Sequence, residues 1–332
     1  MLGKMGGSRR ADLTAVGWLC LGVLVFSLQD VVVKATSGAY PVHQIVVVRC
    51  LVALPILLAM LRSAGGVRRA VASPRAGWLA LRGLALAIAV TAYYLAFPVM
   101  RLADVLALYA TVPLFVTGLA GPVLGERVGT RRWAAVGAGF VGALVMLRPG
   151  AGVFEPASLL PVLAAATYAA AQLMARRLGA AEPAAAMAFH QNLMFLAVAG
   201  GLALAVAVSG GARPGHPSLE FLLRPWVAPG WRDLLLIAAC GPIAALGTVL
   251  LAQAYRGAEA NLVTPFEYTG LVWGTVWGYA LWGEVPGPAS LAGGALIVAA
   301  GLYLVSTGPR APPDARSTDA LAGRGRAVRA RF

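Results

Sequence analysis

The chain has 332 residues, 59% of them hydrophobic and only 12% charged, with a mean hydropathy of +0.77, a balance that excludes an ordinary water-soluble domain of this size. The formal charge of +14 suggests nucleic acid, but that reading needs a basic folded surface, and these arginines sit between apolar runs. Cys20, Cys50 and Cys240 all lie inside apolar runs without ligand-type spacing, which argues against a disulfide framework and a zinc site, so neither metal nor cofactor is expected.

A hydrocarbon core about 30 Å thick takes roughly 20 apolar residues per helix. Hydropathy marks ten such runs, near 13–35, 42–62, 77–99, 104–124, 131–148, 157–178, 184–208, 232–255, 260–282 and 289–306. The first follows Lys4, Arg9 and Arg10 in the manner of a signal peptide. It continues through Gln29 and Asp30 without a clear small-residue cleavage pattern, and is read as a retained span. With residues 1–12 in the cytoplasm, the inner segments hold 19 of the 27 basic residues. The outer loops hold Arg101, Arg148, Arg213, Arg224 and Arg232, the last three in one long loop where charge counts less. Ten spans return the C-terminus to the cytoplasm, and residues 307–332 read as a basic, disordered tail that attracts anionic lipid. The expected location is a bacterial-type inner (plasma) membrane.

The stretch "RLADVLALYATVPLFVTGLAGPVLGERV" (101–128) has a counterpart in "RGAEANLVTPFEYTGLVWGTVWGYALWGEVP" (256–286). Each opens on a basic residue and a small-acidic pair, Ala103-Asp104 or Ala258-Glu259, and each ends in Gly-Glu, at Gly125-Glu126 or Gly283-Glu284. A glycine-dense helix follows both. An odd number of spans, five, separates the copies, so they run in opposite directions across the membrane, the inverted-repeat plan of many secondary transporters. The expected fold is therefore an all-α membrane protein of ten transmembrane helices, built as two inverted five-helix repeats over 13–148 and 157–306.

The segments "FSLQDVVVKATSGAYPVHQIVVVR" (26–49), "LGER" (124–127) and "TPFEYTGLVWG…LWGEVP" (264–286) resemble the drug/metabolite transporter superfamily, specifically its EamA family, over nearly the whole chain. That resemblance implies a central cavity lined mainly by spans 1, 3, 4, 6, 8 and 9, alternating access, and spans 5 and 10 at the periphery.

An ionisable group at the centre of a span costs roughly 2.5–3.5 kcal/mol to insert, so each one asks for a partner or a purpose. Asp30 and Arg49 lie about 8 and 10 Å from the same outer end of the first two spans. They form either a buried salt bridge or a site in which Arg49 takes a substrate carboxylate and Asp30 holds it or exchanges a proton. Lys34 and His43, near the same mouth, are expected to snorkel to the interface. Glu267, two residues after the helix-loosening Pro265 and about seven into the ninth span, is the first choice for binding an ammonium group or carrying a coupling proton. Within "HQN" (190–192), at least one side chain must face the bundle, and His190 is a packing residue or a proton relay. Tyr94, Tyr168, Gln172, Gln253 and Tyr255 are candidates for the wall of a moderately polar cavity, Tyr168 and Gln172 sharing a face. Arg82, near the inner end of the third span, is expected to snorkel without a site role. Gly270, Gly274 and Gly278 form a packing stripe, and Glu126 and Glu284 sit at helix ends with structural roles.

No phosphate-binding lysine follows a glycine-rich loop, which excludes ATP-driven pumping by this chain alone. The absence of HExxH, GxSxG and an acidic metal cluster argues against an intramembrane enzyme, the rival reading beside a non-transporting scaffold. The expected partners are a small-molecule substrate and the bilayer, with no nucleic acid, and a homodimer is left open. The expected function is a secondary carrier, and by family resemblance an exporter, of a small polar metabolite such as an amino acid or derivative.

Overall fold

A backbone in lipid has no water to bond, so its N–H and C=O groups must pair within the segment, and among the described residues the secondary structure is entirely helical. The computed structural model describes residues 2–63, 74–124, 129–147, 155–178, 184–212, 214–257 and 264–306. The tail from 307 onward and Glu126 lie outside them. In chain order the helices are α1 (Leu2–Thr36), α2 (Val42–Ser63), α3 (Ala76–Leu95), α4 (Leu102–Tyr109), α5 (Val112–Leu124), α6 (Thr130–Leu147), α7 (Leu159–Leu178), α8 (Ala184–Ser209), α9 (Pro217–Leu223), α10 (Trp231–Gly257), α11 (Thr269–Trp282) and α12 (Pro288–Ser306). Short 3₁₀ turns at Pro156–Ser158 and Thr264–Tyr268 precede α7 and α11.

Seven helical stretches among the described residues are long and apolar enough to cross a membrane, and Pro288–Leu304 is a shorter apolar helix. The expected fifth span, α6, opens on Arg131 and Arg132 and stays outside that set. The expected ninth span is also outside it; its described part opens on 3₁₀ winding, and its α-helical part is 14 residues long. The expected fourth span is broken at Ala110–Thr111. Pro113 has no N–H to give the Tyr109 carbonyl, and the chain tightens there into i→i−3 bonds, Thr111 N to Leu108 O at 3.2 Å and Leu114 N to Thr111 O at 2.9 Å.

The helices pack in a reciprocal set of pairs. α1 lies against α10 and α3 against α7, while α2 pairs with α8, α4 with α11, and α6 with α12. The last pair is held at backbone contact: a Cβ on Gly142 would meet the Gly293 carbonyl at 2.7 Å, and one on Gly293 would collide with Gly142 O. Leucine at either position would pry the helices apart. The expected glycine stripe on α11 also packs closely, Gly274 against Leu106 of α4. The main buried cluster gathers residues from α1, α2, α3, α4, α7, α8, α9 and α10, and its partly buried rim reaches Trp277 and Trp282 of α11.

Candidate functional site

One end of the bundle is tied by charge. α11 ends at Gly283, whose φ of +64° is the left-handed conformation glycine adopts without strain. Gly283 N bonds Tyr279 O at 3.0 Å and Glu284 N bonds Gly278 O at 3.0 Å, which swings the Glu284 carboxylate back over the bundle. There Lys34 Nζ meets Glu284 Oε1 at 2.8 Å, with side chains only 7% and 17% exposed, and Leu102 N donates to Glu284 Oε2 at 2.9 Å. Lys34 also donates to the carbonyls of Met100 (2.6 Å) and Phe97 (3.4 Å) and lies over the Trp282 ring. Arg101 joins Asp104 (2.6 Å), Val285 O (2.7 Å) and Ser290 Oγ (3.1 Å). This lock links α1, the α3–α4 turn, α11 and α12.

Lys34 and His43 therefore do not snorkel. Lys34 is buried in the lock, and His43 is buried at 1% exposure, its Nε2 3.2 Å from Arg224 O. The cause is the segment from 210 to 230, which folds over this mouth. Gln44 exchanges two bonds with Val227 (2.6 and 3.1 Å), and Arg224 Nη1 donates to Gly38 O at 2.5 Å. Tyr40 donates to Asp233 at 2.6 Å, a bond that favours the neutral phenol and raises its pKa.

Beneath the lock lies a first polar centre. Asp30 and Arg49 make no direct ion pair. Asp30 accepts from Tyr93 Oη at 3.0 Å, and Arg49 donates to Tyr94 Oη at 3.3 Å. Gln29, oriented so that both ends of its amide are satisfied, accepts from Tyr94 Oη (2.5 Å) and Arg49 Nη1 (3.3 Å) and donates to Cys240 O (3.3 Å). The Arg49 guanidinium also faces the Phe195 ring, 5.2 Å from its centroid. The two charges thus meet through neighbouring tyrosines on α3, a relay that neither residue's position alone announces.

From this centre a tract of aromatic rings runs along the bundle. Phe97 and Tyr93 are 5.0 Å apart, Tyr93 and Tyr109 4.9 Å, and Tyr109 and Tyr168 5.7 Å. Tyr168 marks a second polar centre. It accepts from Gln172 Nε2 at 2.8 Å and is in electrostatic contact with Arg82 and Glu267. Glu267 also reaches Tyr109 and Tyr268 electrostatically. Its expected setting needs correction: the carboxylate is exposed and sits in the 3₁₀ turn before α11, not in the body of a long helix. Pro265 in that turn has no N–H for a helical bond, and 3₁₀ winding suits such short pieces.

Arg82 does not snorkel either. It is half-buried and turned to α8, where Nη1 lies 3.5 Å from Gln191 Oε1. Of the "HQN" triplet, Asn192 faces the core and donates to Cys50 O at 3.1 Å, while His190 is held by its own helix, Nδ1 3.0 Å from Ala186 O. Gln253 is exposed on α10, and the side chain of Tyr255 lies outside the described residues. Asp30, Arg49 and Tyr94 thus come together in one centre and Tyr168, Gln172 and Glu267 in another. Tyr93, Tyr109 and Arg82, absent from the sequence candidates, complete the tract. A groove of about 400 Å³ beside α4, α11 and α12 lies off this tract, and its lining is mostly apolar.

Comparison with known proteins decides what such a bundle is. The profile of the EamA-like transporter family matches residues 13–148. The riboflavin transporter of Vibrio cholerae is 30% identical over 85% of this chain and 89% of its own. The chain belongs to the EamA-like transporter family. Other relatives are the pseudopaline exporter CntI of Pseudomonas aeruginosa (29% identical, 86% of this chain and 94% of its own) and the S-adenosylmethionine uptake transporter of Rickettsia prowazekii (23%, 91% and 95%). One crystal structure shares the fold with a TM-score of 0.55 at 20% identity, over 91% of this chain and 96% of that one. The chain is thus an integral membrane protein of a transporter family, related by name to carriers rather than enzymes.

Proposed function

We propose that this protein is a secondary carrier of a small polar organic solute, working by alternating access, and that its solute travels along the tyrosine tract between the two polar centres. The observation that carries the reading is the pairing of a sealed mouth with buried charge beneath it. Lys34 and Glu284 close one end, Asp30 and Arg49 wait below, and Glu267 is exposed farther along. Charged groups at that depth are expensive unless they act on a solute or ion.

The reading includes ten spans arranged as two inverted halves. Its support is the reciprocal pairing: first span with eighth, third with sixth, and second, fourth and fifth each with its counterpart. The fourth span is broken beside Tyr109, and the described part of the ninth opens on the 3₁₀ winding that holds Glu267; interrupted helices are where such carriers bind solutes. The N- and C-termini then face the cytoplasm of a bacterial inner membrane, and the sealed mouth faces out. Export of an amino acid or derivative, driven by proton exchange or by the solute's own gradient, is the reading retained. The relatives' printed solutes, all organic metabolites, fit that class. In proteoliposomes, Arg49→Ala and Glu267→Gln should each abolish flux while the protein still inserts and purifies normally. Wild-type flux in both variants overturns this assignment of the site.

A further inference from the structure

We infer that Arg82 is the docking residue for a carboxylate on the transported solute; this rests on the carrier reading above and names its substrate class as a carboxylate-bearing molecule.

A guanidinium carries five donors in a rigid fork and is never deprotonated in proteins. On α3, Arg82 uses that fork poorly. Its described side-chain hydrogen bond is the 3.5 Å contact with Gln191 Oε1, and its Nε is buried without a partner. The arginines of the sealed mouth behave otherwise: Arg101 has three close partners, two of them within 2.7 Å. A cation left short of acceptors in a half-buried place is costly, and a planar two-oxygen anion satisfies it best. The neighbours do not supply that anion. Tyr168 stands in electrostatic contact with Arg82, and Arg82 makes no salt bridge with a described acid. The guanidinium is therefore left without a described counter-charge.

Position supports the same assignment. Arg82 lies eleven residues before Tyr93 on one straight helix, about 16 Å along its axis, so it stands at the far end of the aromatic tract from Asp30 and Arg49. A carboxylate docked at Arg82 lies beside Tyr168, with the Tyr109 ring next along the tract. Arg82 thus selects for the carboxylate, and the tyrosines take the remaining body of the molecule.

The test is binding of paired probes to the purified full-length protein: L-tryptophan with tryptamine, L-lysine with cadaverine, and S-adenosylmethionine with its decarboxylated form. For at least one pair the wild type should bind the acid about tenfold more tightly than the amine, as expected for a charge-assisted bond. Arg82→Gln should bring the acid down to its amine, and Arg82→Lys, which keeps the charge without the fork, should recover part of the preference. An arginine with a merely structural role would weaken acid and amine alike. That outcome, an acid preference that survives in Arg82→Gln, or a wild type that prefers none of the acids, overturns the inference. Acid binding through Arg82 with no flux in proteoliposomes leaves the docking residue standing and removes the carrier reading instead.

Discussion

At the Glu284 mouth the charges are saturated with partners, whereas at the other end the Arg82 guanidinium is short of them. Lys34 has a carboxylate, two carbonyls and an indole face around it, and Glu284 binds both Lys34 and a backbone N–H. Arg82 has one long bond and an orphaned Nε. Lys34 and Glu284 are largely buried, whereas Arg82 is half-buried and Glu267 exposed, and the deeper pair is the better satisfied. What separates them is geometry: a closed mouth is stable when its charges neutralise each other, and a binding site is useful when they do not. The contrast gives each end a distinct response to substitution.

The largest effect is expected at the lock. Glu284→Gln leaves Lys34 buried without its counter-charge, and breaking one partner of a buried pair costs roughly 3–5 kcal/mol. Thermal unfolding of the purified protein should show the loss. The double variant Lys34→Met with Glu284→Met should be milder than either single change, because it removes the stranded charge as well. The mouth itself should open. Cys50 and Cys240 are buried beneath it beside Arg49, so an impermeant maleimide added from that side should label them faster in Glu284→Gln than in the wild type. Equal labelling together with equal stability would mean that this ion pair closes nothing.

The all-helical membrane character was readable because lipid imposes a simple rule, about twenty apolar residues per crossing, and seven described stretches from Leu13 onward obey it. Pro265 was read as loosening the ninth span, but the break in the fourth was not read from Pro113: apolar runs conceal a lost hydrogen bond that hydropathy does not count. For the site, residue type identified Asp30, Arg49 and Glu267 as candidates, but type does not say which way a side chain turns. Lys34, His43 and Arg82 all have stems long enough, or positions near enough to an end, to snorkel. Tertiary contacts from Glu284, the 210–230 segment and Gln191 decide otherwise. Those contacts join residues more than a hundred positions apart, beyond the reach of any local pattern. Tyr93 was not among the candidates, yet Tyr93 and Tyr94, adjacent on α3, each serve one of the two buried charges.

That division of labour predicts an intermediate effect. Tyr93→Phe removes the hydroxyl that binds Asp30 but keeps the ring stacked against Phe97 and Tyr109. An unsatisfied buried acceptor costs about 1–3 kcal/mol, so unfolding should shift by less than in Glu284→Gln. Flux in proteoliposomes should fall with it. Tyr94→Phe should instead disturb Arg49 and Gln29, and a combined variant should cost less than the sum, since both hydroxyls serve one network. Full additivity would show that the two charges act separately.

The smallest change in stability, and the sharpest distinction between the two ends, is expected at Tyr168. Its hydroxyl accepts from Gln172 one turn away on the same helix, a half-buried contact worth about 0.5–1 kcal/mol. Tyr168→Phe should therefore unfold close to the wild type. If the Arg82 end is built to receive a solute, however, the same hydroxyl is in electrostatic contact with Arg82, where the solute's carboxylate arrives. Its loss should weaken acid-probe binding more than it weakens the fold. At the lock the opposite ratio holds: Glu284→Gln damages stability first and leaves the Arg82 centre chemically intact. Measuring both quantities on both variants places each residue on one side of the comparison. A Tyr168→Phe protein that loses stability but keeps its probe affinity would turn the Arg82 end into a second structural clamp.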